Sequence, residues 1–438
     1  MSLRKQATSL TLMHAADTLQ PLLILPYAGR ILGAHDFGRF AYAMSIGALA
    51  ATFVEYGFHW TAQRAAASAR QEPTVLRSLV AEIAVTKLVL FIAVTVVGLI
   101  IADGVLALSK EIFLWTMLSS LGSILFPAWL FIGLERAWQA AHAVVIARCL
   151  ATVWFLMLVT SPTGLEAAIA IQSAIPLVAG VVSLPFVVPI GLGGFRTVTP
   201  SRIGMQLRNG WRGFLYSAVE RAIITLPVPL VLYFGGYVAA GQYSVAEKFV
   251  GATRPIFRVL SETFLPRVAY YANHDPAAGL ALIRYAFPTL VIGAAFSLLL
   301  FFFAPYAIIV LFGDEFSGAI PIIRLLSVIP VLVNVNILTS NLYMFNYGHE
   351  RAWASLTVSG LLIFLALAYF LSSYLPSAAT AVAIAAITRE CVVLVVSTGF
   401  FLAFGTSRIA VGDNGRSASG WDTRCRKRSY ARASWNAD

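Results

Sequence analysis

The sequence predicts an all-α polytopic membrane protein of about twelve transmembrane helices, arranged as two six-helix lobes related by a parallel internal repeat. Three observations predict this: an apolar composition, long runs without charge, and a self-match at a fixed offset. Of the 438 residues, 59% are hydrophobic and 12% are charged, and the mean hydropathy is +0.80. Soluble domains are about 45–50% apolar and about 25% charged, so the excess here is too widely spread to fill one core. Stretches such as Leu88–Ala102 and Leu361–Tyr374 carry no charge at all. A bilayer core about 30 Å thick needs about 20 apolar residues per helix, and the chain has room for twelve.

The expected spans are 10–32, 38–62, 77–101, 112–134, 138–160 and 166–190, then 212–234, 239–264, 284–312, 319–346, 352–375 and 378–404. Short turns rich in Gly, Pro and charge separate them. Arg4 and Lys5 precede the first apolar run, which resembles the start of a secretory signal. However, His14 and Asp17 interrupt the run and it continues to Leu32, so the reading is an uncleaved first helix. The predicted organisation is an N-terminal lobe over 1–195, a cytosolic linker over 196–211, a C-terminal lobe over 212–404 and a basic, disordered tail over 405–438.

With the N-terminus inside, the cytosolic segments hold 20 of the 31 Lys and Arg, including Arg64, Arg70, Arg136, Arg208 and Arg351. The opposite loops hold only Arg30, Arg39 and Lys110, with Asp36, Asp103, Asp314 and Glu315 among their acids. The asymmetry follows the positive-inside rule. It places both termini in the cytosol. It also accounts for much of the +11 net charge, so no nucleic-acid partner is invoked.

Sliding the chain by 203 residues superposes Asp17 on Glu220, Pro26 on Pro229, Gly33 on Gly236 and Gly38 on Gly241. Further on, Arg64 meets Arg267 and Pro73 meets Pro276. An offset of six helices preserves orientation, as in transporters whose two halves are related by an axis along the membrane normal. Chance similarity between two apolar hairpins is the competing explanation.

An ionisable residue at a helix centre costs about 2.5–3.5 kcal/mol on insertion scales and tends to face a cavity or a partner. Glu247, Arg254, Arg258 and Glu262 are spaced by seven, four and four. At about 100° per residue they fall within about 80° on one face. Lys248 lies about 100° away, and Pro255 is placed to kink the helix. Such a cationic stripe fits the binding of a phosphate-like anion, or else a set of interhelical ion pairs. Asp17 and its counterpart Glu220 are ion-coupling candidates, since a buried carboxyl gains proton affinity; structural pairing is the alternative. Arg148, in mid-span, is either a cavity residue or half of a buried pair. Arg30 stands at the outer end of the first span, at a cavity mouth or snorkelling to the interface. Glu55 and Glu135, near helix ends, read as structural. Cys149, Cys391 and Cys425 form no CxxC pair, so neither a disulfide framework nor a metal site is expected. No phosphate-binding loop or H-E-x-x-H is present, and no catalytic residue or cofactor is predicted.

Four blocks resemble the polysaccharide-transporter (O-antigen flippase, Wzx-type) family of the multidrug/oligosaccharidyl-lipid/polysaccharide exporter superfamily. They are Pro21–Gly33 with Phe37-Gly38, Glu55–Phe58 leading to Arg64, Phe126–Glu135, and Gly241–Lys248. The resemblance covers roughly residues 8–350. It implies two V-shaped lobes around a cationic cavity, and an undecaprenyl-diphosphate-linked sugar repeat unit as the substrate flipped outward by alternating access. It assigns substrate contact to Arg30 and Lys248, where the family is usually basic. Asp17 falls where the family often has Asn, and Ile132 where it often has Gln. A polysaccharide polymerase and a chain-length regulator are candidate partners. A drug exporter would favour an acidic cavity, and an enzyme such as a polymerase or ligase would need a large outward loop, whereas the longest here is about ten residues.

Overall fold

A computed structural model describes residues 3–190 and 198–405. The expected tail therefore lies almost wholly outside the described residues. Every regular element in the described residues is helical. The first half contains α1 (Leu3–Glu55), α2 (Phe58–Ser68), α3 (Pro73–Ile101), α4 (Lys110–Leu125), α5 (Ala128–Gly133), α6 (Ala137–Leu158), α7 (Leu165–Ser173) and α8 (Ile175–Val187). The second contains α9 (Pro200–Thr225), α10 (Pro227–Gly251), α11 (Arg254–His274), α12 (Pro276–Ala286), α13 (Leu290–Phe312), α14 (Ala319–Leu326) and α15 (Ile329–Asn336). After α15 the chain runs as a π-helix over Ile337–Met344, then as α16 (Glu350–Tyr374) and α17 (Ala378–Phe400).

Ten of the described helical stretches are long and apolar enough to cross a membrane, and the protein is a multi-pass membrane protein. Two of them, Thr11–Ser68 and Pro200–Phe257, are 58 residues long, enough for two crossings each at 1.5 Å per residue. Thr11–Ser68 takes in nearly all of two expected spans, and Pro200–Phe257 one span and most of the next. Each also contains a glycine in a conformation close to glycine-only: Gly33 at φ 71°, ψ 170° and Gly236 at φ 77°, ψ 179°. Other backbones have no low-energy well there, and the two glycines are the offset-203 pair.

Proline explains most of the remaining breaks. Pro127 separates α4 from α5 and Pro176 follows the α7–α8 bend. Pro255 cannot donate to the Gly251 carbonyl, so the expected eighth span divides into α10 and α11 rather than running as one helix. Pro73 and Pro276, also an offset-203 pair, each start a helix at its first residue, where the missing N–H is harmless. The expected linker is helical from Pro200 onward and continuous with the next span.

Within lipid the driving force for packing is close contact rather than dehydration, so small residues line helix interfaces. Ala143, Ala147 and Ala151 form a fully buried stripe on α6. Gly180 of α8 lies on Leu125, where an added Cβ would sit 2.6 Å from the Leu125 side chain. The largest core cluster joins α1, α6, α10, α13 and α17.

The interhelical turns gather at two ends. At one, Tyr42 donates to the Leu106 carbonyl, Tyr237 to Ala107, Tyr27 to Val159 and Ala34 N–H to Glu315. At the other, Arg70 pairs with Glu135, Arg77 donates to Ile190, Tyr347 to Pro276, and Gly57 meets Gly213.

Candidate functional site

The charged groups inside the bundle fall into separate clusters. In the first half, Arg148 of α6 reaches Asp17 of α1 at 2.6 Å and the Gln20 side chain at 3.0 Å. Gln20 donates onward to Gln172 of α7 at 3.3 Å. A substrate-binding candidate and an ion-coupling candidate thus neutralise each other. The Arg148 side chain is 19% exposed and that of Asp17 42%, so the acid is the accessible member of the pair.

In the second half, Glu247 is nearly buried between two cations, with Lys248 at 3.4 Å and Arg254 at 3.9 Å. One carboxylate faces two positive groups, leaving about one unit of positive charge. Lys248 is half exposed and Arg254 about a third. The break before Pro255 sets Arg254 on α11 and Glu247 on α10, yet the two still meet. The Arg258 side chain lies outside the described residues. Glu220 is exposed and has no ion-pair partner among the described residues, unlike its counterpart Asp17. No ion pair or hydrogen bond joins the Arg148 cluster to the Lys248 cluster among the described residues.

Arg30 is held elsewhere. Its Nε donates to the Leu311 carbonyl at 2.8 Å and its Nη2 to Val310, the last turn of α13. A cation there satisfies free carbonyls and the negative end of the helix dipole. The arrangement is reciprocal: after the Gly33 break, Glu315 accepts from Ala34 N–H at 3.1 Å, at the start of the second segment of α1. Phe37 is fully buried between Phe312 and Phe316 beside these caps. At the same junction, a Cβ on Gly38 would strike the Tyr237 carbonyl, and one on Gly241 would lie 2.6 Å from the Ala34 carbonyl. Tyr237 and Gly241 are the offset-203 counterparts of Ala34 and Gly38. Each half therefore touches the other with the same two positions, the mark of a local two-fold contact.

Two further buried groups of α3 tie helices together, one within the first half and one across to α9. Lys87 is almost fully buried, 2.7 Å from Glu55 and 3.0 Å from the Ser123 carbonyl. Glu82, equally buried, accepts from Arg202 and from Gln206 of α9 at 2.8 Å. Sequence reasoning missed Gln20, Gln206 and the Glu315 cap. Gln20 was detectable in principle, because it lies one turn from Asp17 on the same helix face.

A sequence profile described as "Polysaccharide biosynthesis protein" matches residues 3–271, more than half of the chain. The chain belongs to this polysaccharide biosynthesis family. Two curated relatives carry the name "Putative O-antigen transporter". The one from Escherichia coli K12 is 24% identical over 400 residues, covering 90% of this chain and 95% of the relative. The one from Shigella dysenteriae is 24% identical over 375 residues, covering 85% and 93%. Among solved structures, the inward-facing conformation of a multidrug resistance MATE family transporter of the MOP superfamily matches with a TM-score of 0.73. It is 17% identical and covers 94% of this chain and 100% of that one. The outward-facing conformation of such a transporter matches with a TM-score of 0.60 at 18% identity, covering 92% and 94%. This member of the polysaccharide biosynthesis family therefore shares its fold with MATE transporters.

Proposed function

We propose that this protein is a transporter, not an enzyme, that flips a polyprenyl-diphosphate-linked oligosaccharide from the cytosolic to the outer leaflet of the inner membrane for polysaccharide export. The observation that carries this reading is the excess positive charge at Glu247, Lys248 and Arg254. An ammonium facing lipid inside a membrane span is strongly unfavourable, so a half-exposed Lys248 belongs to a water-filled cavity. A cavity with one surplus positive charge selects anions, and a diphosphate offers oxygens to both the ammonium and the Arg254 guanidinium. The relatives' shared name and the family description support a lipid-linked sugar as the load.

In this reading the two 58-residue stretches each cross twice, giving twelve crossings in two six-helix lobes with the linker between them, and both termini are cytosolic. The Arg30–Glu315 junction then closes the outer end, so the cations face the cytosol. The diphosphate docks on Lys248 and Arg254, the sugar follows into the cavity, and the polyprenyl chain stays in lipid. Rocking of the lobes releases the load outward. Arg30 contacts the substrate only after leaving the α13 carbonyls.

Lys248→Ala and Arg254→Ala test the proposal in cells lacking their own flippase, with protein levels matched and Arg70→Ala as control. A hydrogen bond to a charged group contributes about 1.5–3 kcal/mol, so surface polymer should fall about tenfold or more while precursor accumulates inside. The exposed Arg70–Glu135 pair contributes little, and its loss should leave export unchanged. Normal export by both cavity variants would sink the site. Failure of the unmutated protein on a matched sugar unit, with efflux of a cationic dye instead, would favour a drug exporter.

A further inference from the structure

Glu390 stands in the middle of α17, about 15–18 Å from either end at 1.5 Å per residue. It lies outside the clusters described above. One carboxylate oxygen accepts from Nη1 of Arg389, and the other from Nδ2 of Asn336 at 2.7 Å. Asn336 is more than nine-tenths buried, yet its Oδ1 has no hydrogen-bond partner. Beside it, the buried Nε of Arg389 also has none. An unpaired acceptor next to a carboxylate, at mid-helix depth, marks a place where a donor is missing.

We propose that Glu390 and Asn336 form a proton-binding site in the second half of the molecule, through which a proton gradient drives the transport proposed above. The two protonation states use the same amide in opposite senses. With Glu390 ionised, Asn336 donates Nδ2–H to the carboxylate, as found here. With Glu390 protonated, rotation of the amide presents Oδ1 to the new O–H, and the orphan acceptor is satisfied. The proton comes from water and remains on the carboxyl, with no other bond made or broken. Arg389 then loses its counter-charge. Gly360 of α16 leaves room beside it, since even an added Cβ would lie 3.5 Å from Nε. Protonation therefore requires water or an anion near Arg389, which links proton uptake to the load.

The elements packed on α17 bring few competing charges. α15, the π-helix and residues 401–405 have no Asp, Glu, Lys, Arg or His, although the π-helix carries Tyr343. On α10, Glu247 and Lys248 pair locally. On α14, the Arg324 guanidinium lies over the Phe301 ring. On α16, Glu350 and Arg351 stand at the first turn, with Tyr369 and Tyr374 near the far end. Within 4 Å, Arg389 is the charged partner of Glu390 among the described residues.

The site is also placed to move helices. Asn336 is the last residue before the π-helix, and π segments often mark functional positions. Thr339 of the π-helix bonds Ser397 at 2.8 Å, a second tie to α17 just beyond Asn336. α17 packs on α10, which carries Lys248, so a change in the Asn336 tie reaches the anion site through one helix.

Infrared difference spectra of the purified protein in lipid nanodiscs, recorded between alkaline and acid buffer, test the site without any substrate. The unmutated protein should show the carbonyl stretch of a protonated carboxylic acid at low pH. Glu390→Gln, which keeps an acceptor for Asn336, should remove that band while the melting profile is retained. Asn336→Val should move the band to higher frequency, because the acid O–H loses its amide acceptor. Asp17→Asn and Glu220→Gln should leave it in place. Superimposable spectra for unmutated protein and Glu390→Gln overturn the proposal. In proteoliposomes, Glu390→Gln should move lipid-linked oligosaccharide equally with and without a pH gradient. A gradient response equal to the unmutated protein's would also overturn it. If the unmutated protein moves no lipid-linked oligosaccharide, the transport reading fails, and the infrared band still decides the proton site.

Discussion

Lys87 shows what a buried charge does when its only role is structural. Its ammonium satisfies Glu55 and a carbonyl of α4 at once. Removing one member of such a pair leaves the other uncompensated, which typically destabilises more than removing both. Lys87→Ala should therefore lower stability by about 3 kcal/mol, the low end for a broken buried pair because Glu55 is partly exposed, whereas Lys87→Met with Glu55→Gln should recover much of the loss. Thermal unfolding in detergent with a double-mutant cycle reads this directly; equal losses would show that Glu55 finds water instead. At this scale the sequence revealed which residues were anomalous but not which were paired. Asp17 and Arg148 stood out as charges in apolar spans, and they are 131 positions apart in the chain. Contacts of that range are set by packing, which periodicity does not encode. Arg30 illustrates the same limit: its place near the outer end was legible, but its carbonyl partners on α13 were not.

At the scale of elements, glycine and proline gave the most readable signals. Pro255 predicted a weak point and the helix divides there. The Gly33 and Gly236 pairing predicted a shared feature, and both adopt the same extended, positive-φ backbone. A Cβ at either position forces a region that costs about 1–3 kcal/mol. Gly33→Ala and Gly236→Ala should each lower the melting temperature, and the two losses should be similar because the backbone is the same. A loss at Gly33 alone would mean that Glu315, 3.2 Å from its added Cβ, is the cause rather than the backbone. The π-helix had no counterpart in the sequence reading. Its residues show ordinary helical apolarity, and the Thr339–Ser397 hydrogen bond ties it to α17.

For the whole molecule, composition and hydropathy made the membrane architecture legible, since a bilayer leaves few alternatives to bundled helices. The expected repeat rests on scattered matches, because lipid-facing apolar residues interchange freely. The junction of Arg30, Glu315 and Phe37 holds those halves together at one end. A charge at a helix end contributes about 0.3–1 kcal/mol, and up to about 2 kcal/mol when partly buried. On the proposed alternating-access reading, Arg30→Gln with Glu315→Gln should therefore shift the closed-to-open balance about tenfold. A cysteine at Ala34, in a background without native cysteines, should react correspondingly faster with a membrane-impermeant maleimide. Unchanged labelling would show that the aromatic contacts alone keep the end shut.

In the proposed rocking motion, the touching of Gly38 and Gly241 near that end sets the mechanics. Two rods in contact near one tip act as a lever whose fulcrum is that tip. A rotation of about 10° there moves atoms at the glycines by tenths of an ångström, but carries the far end of α1, about 25 Å along the helix, through about 4 Å. A side chain at either glycine would act like a shim in a hinge, displacing the far jaws much more than the joint itself.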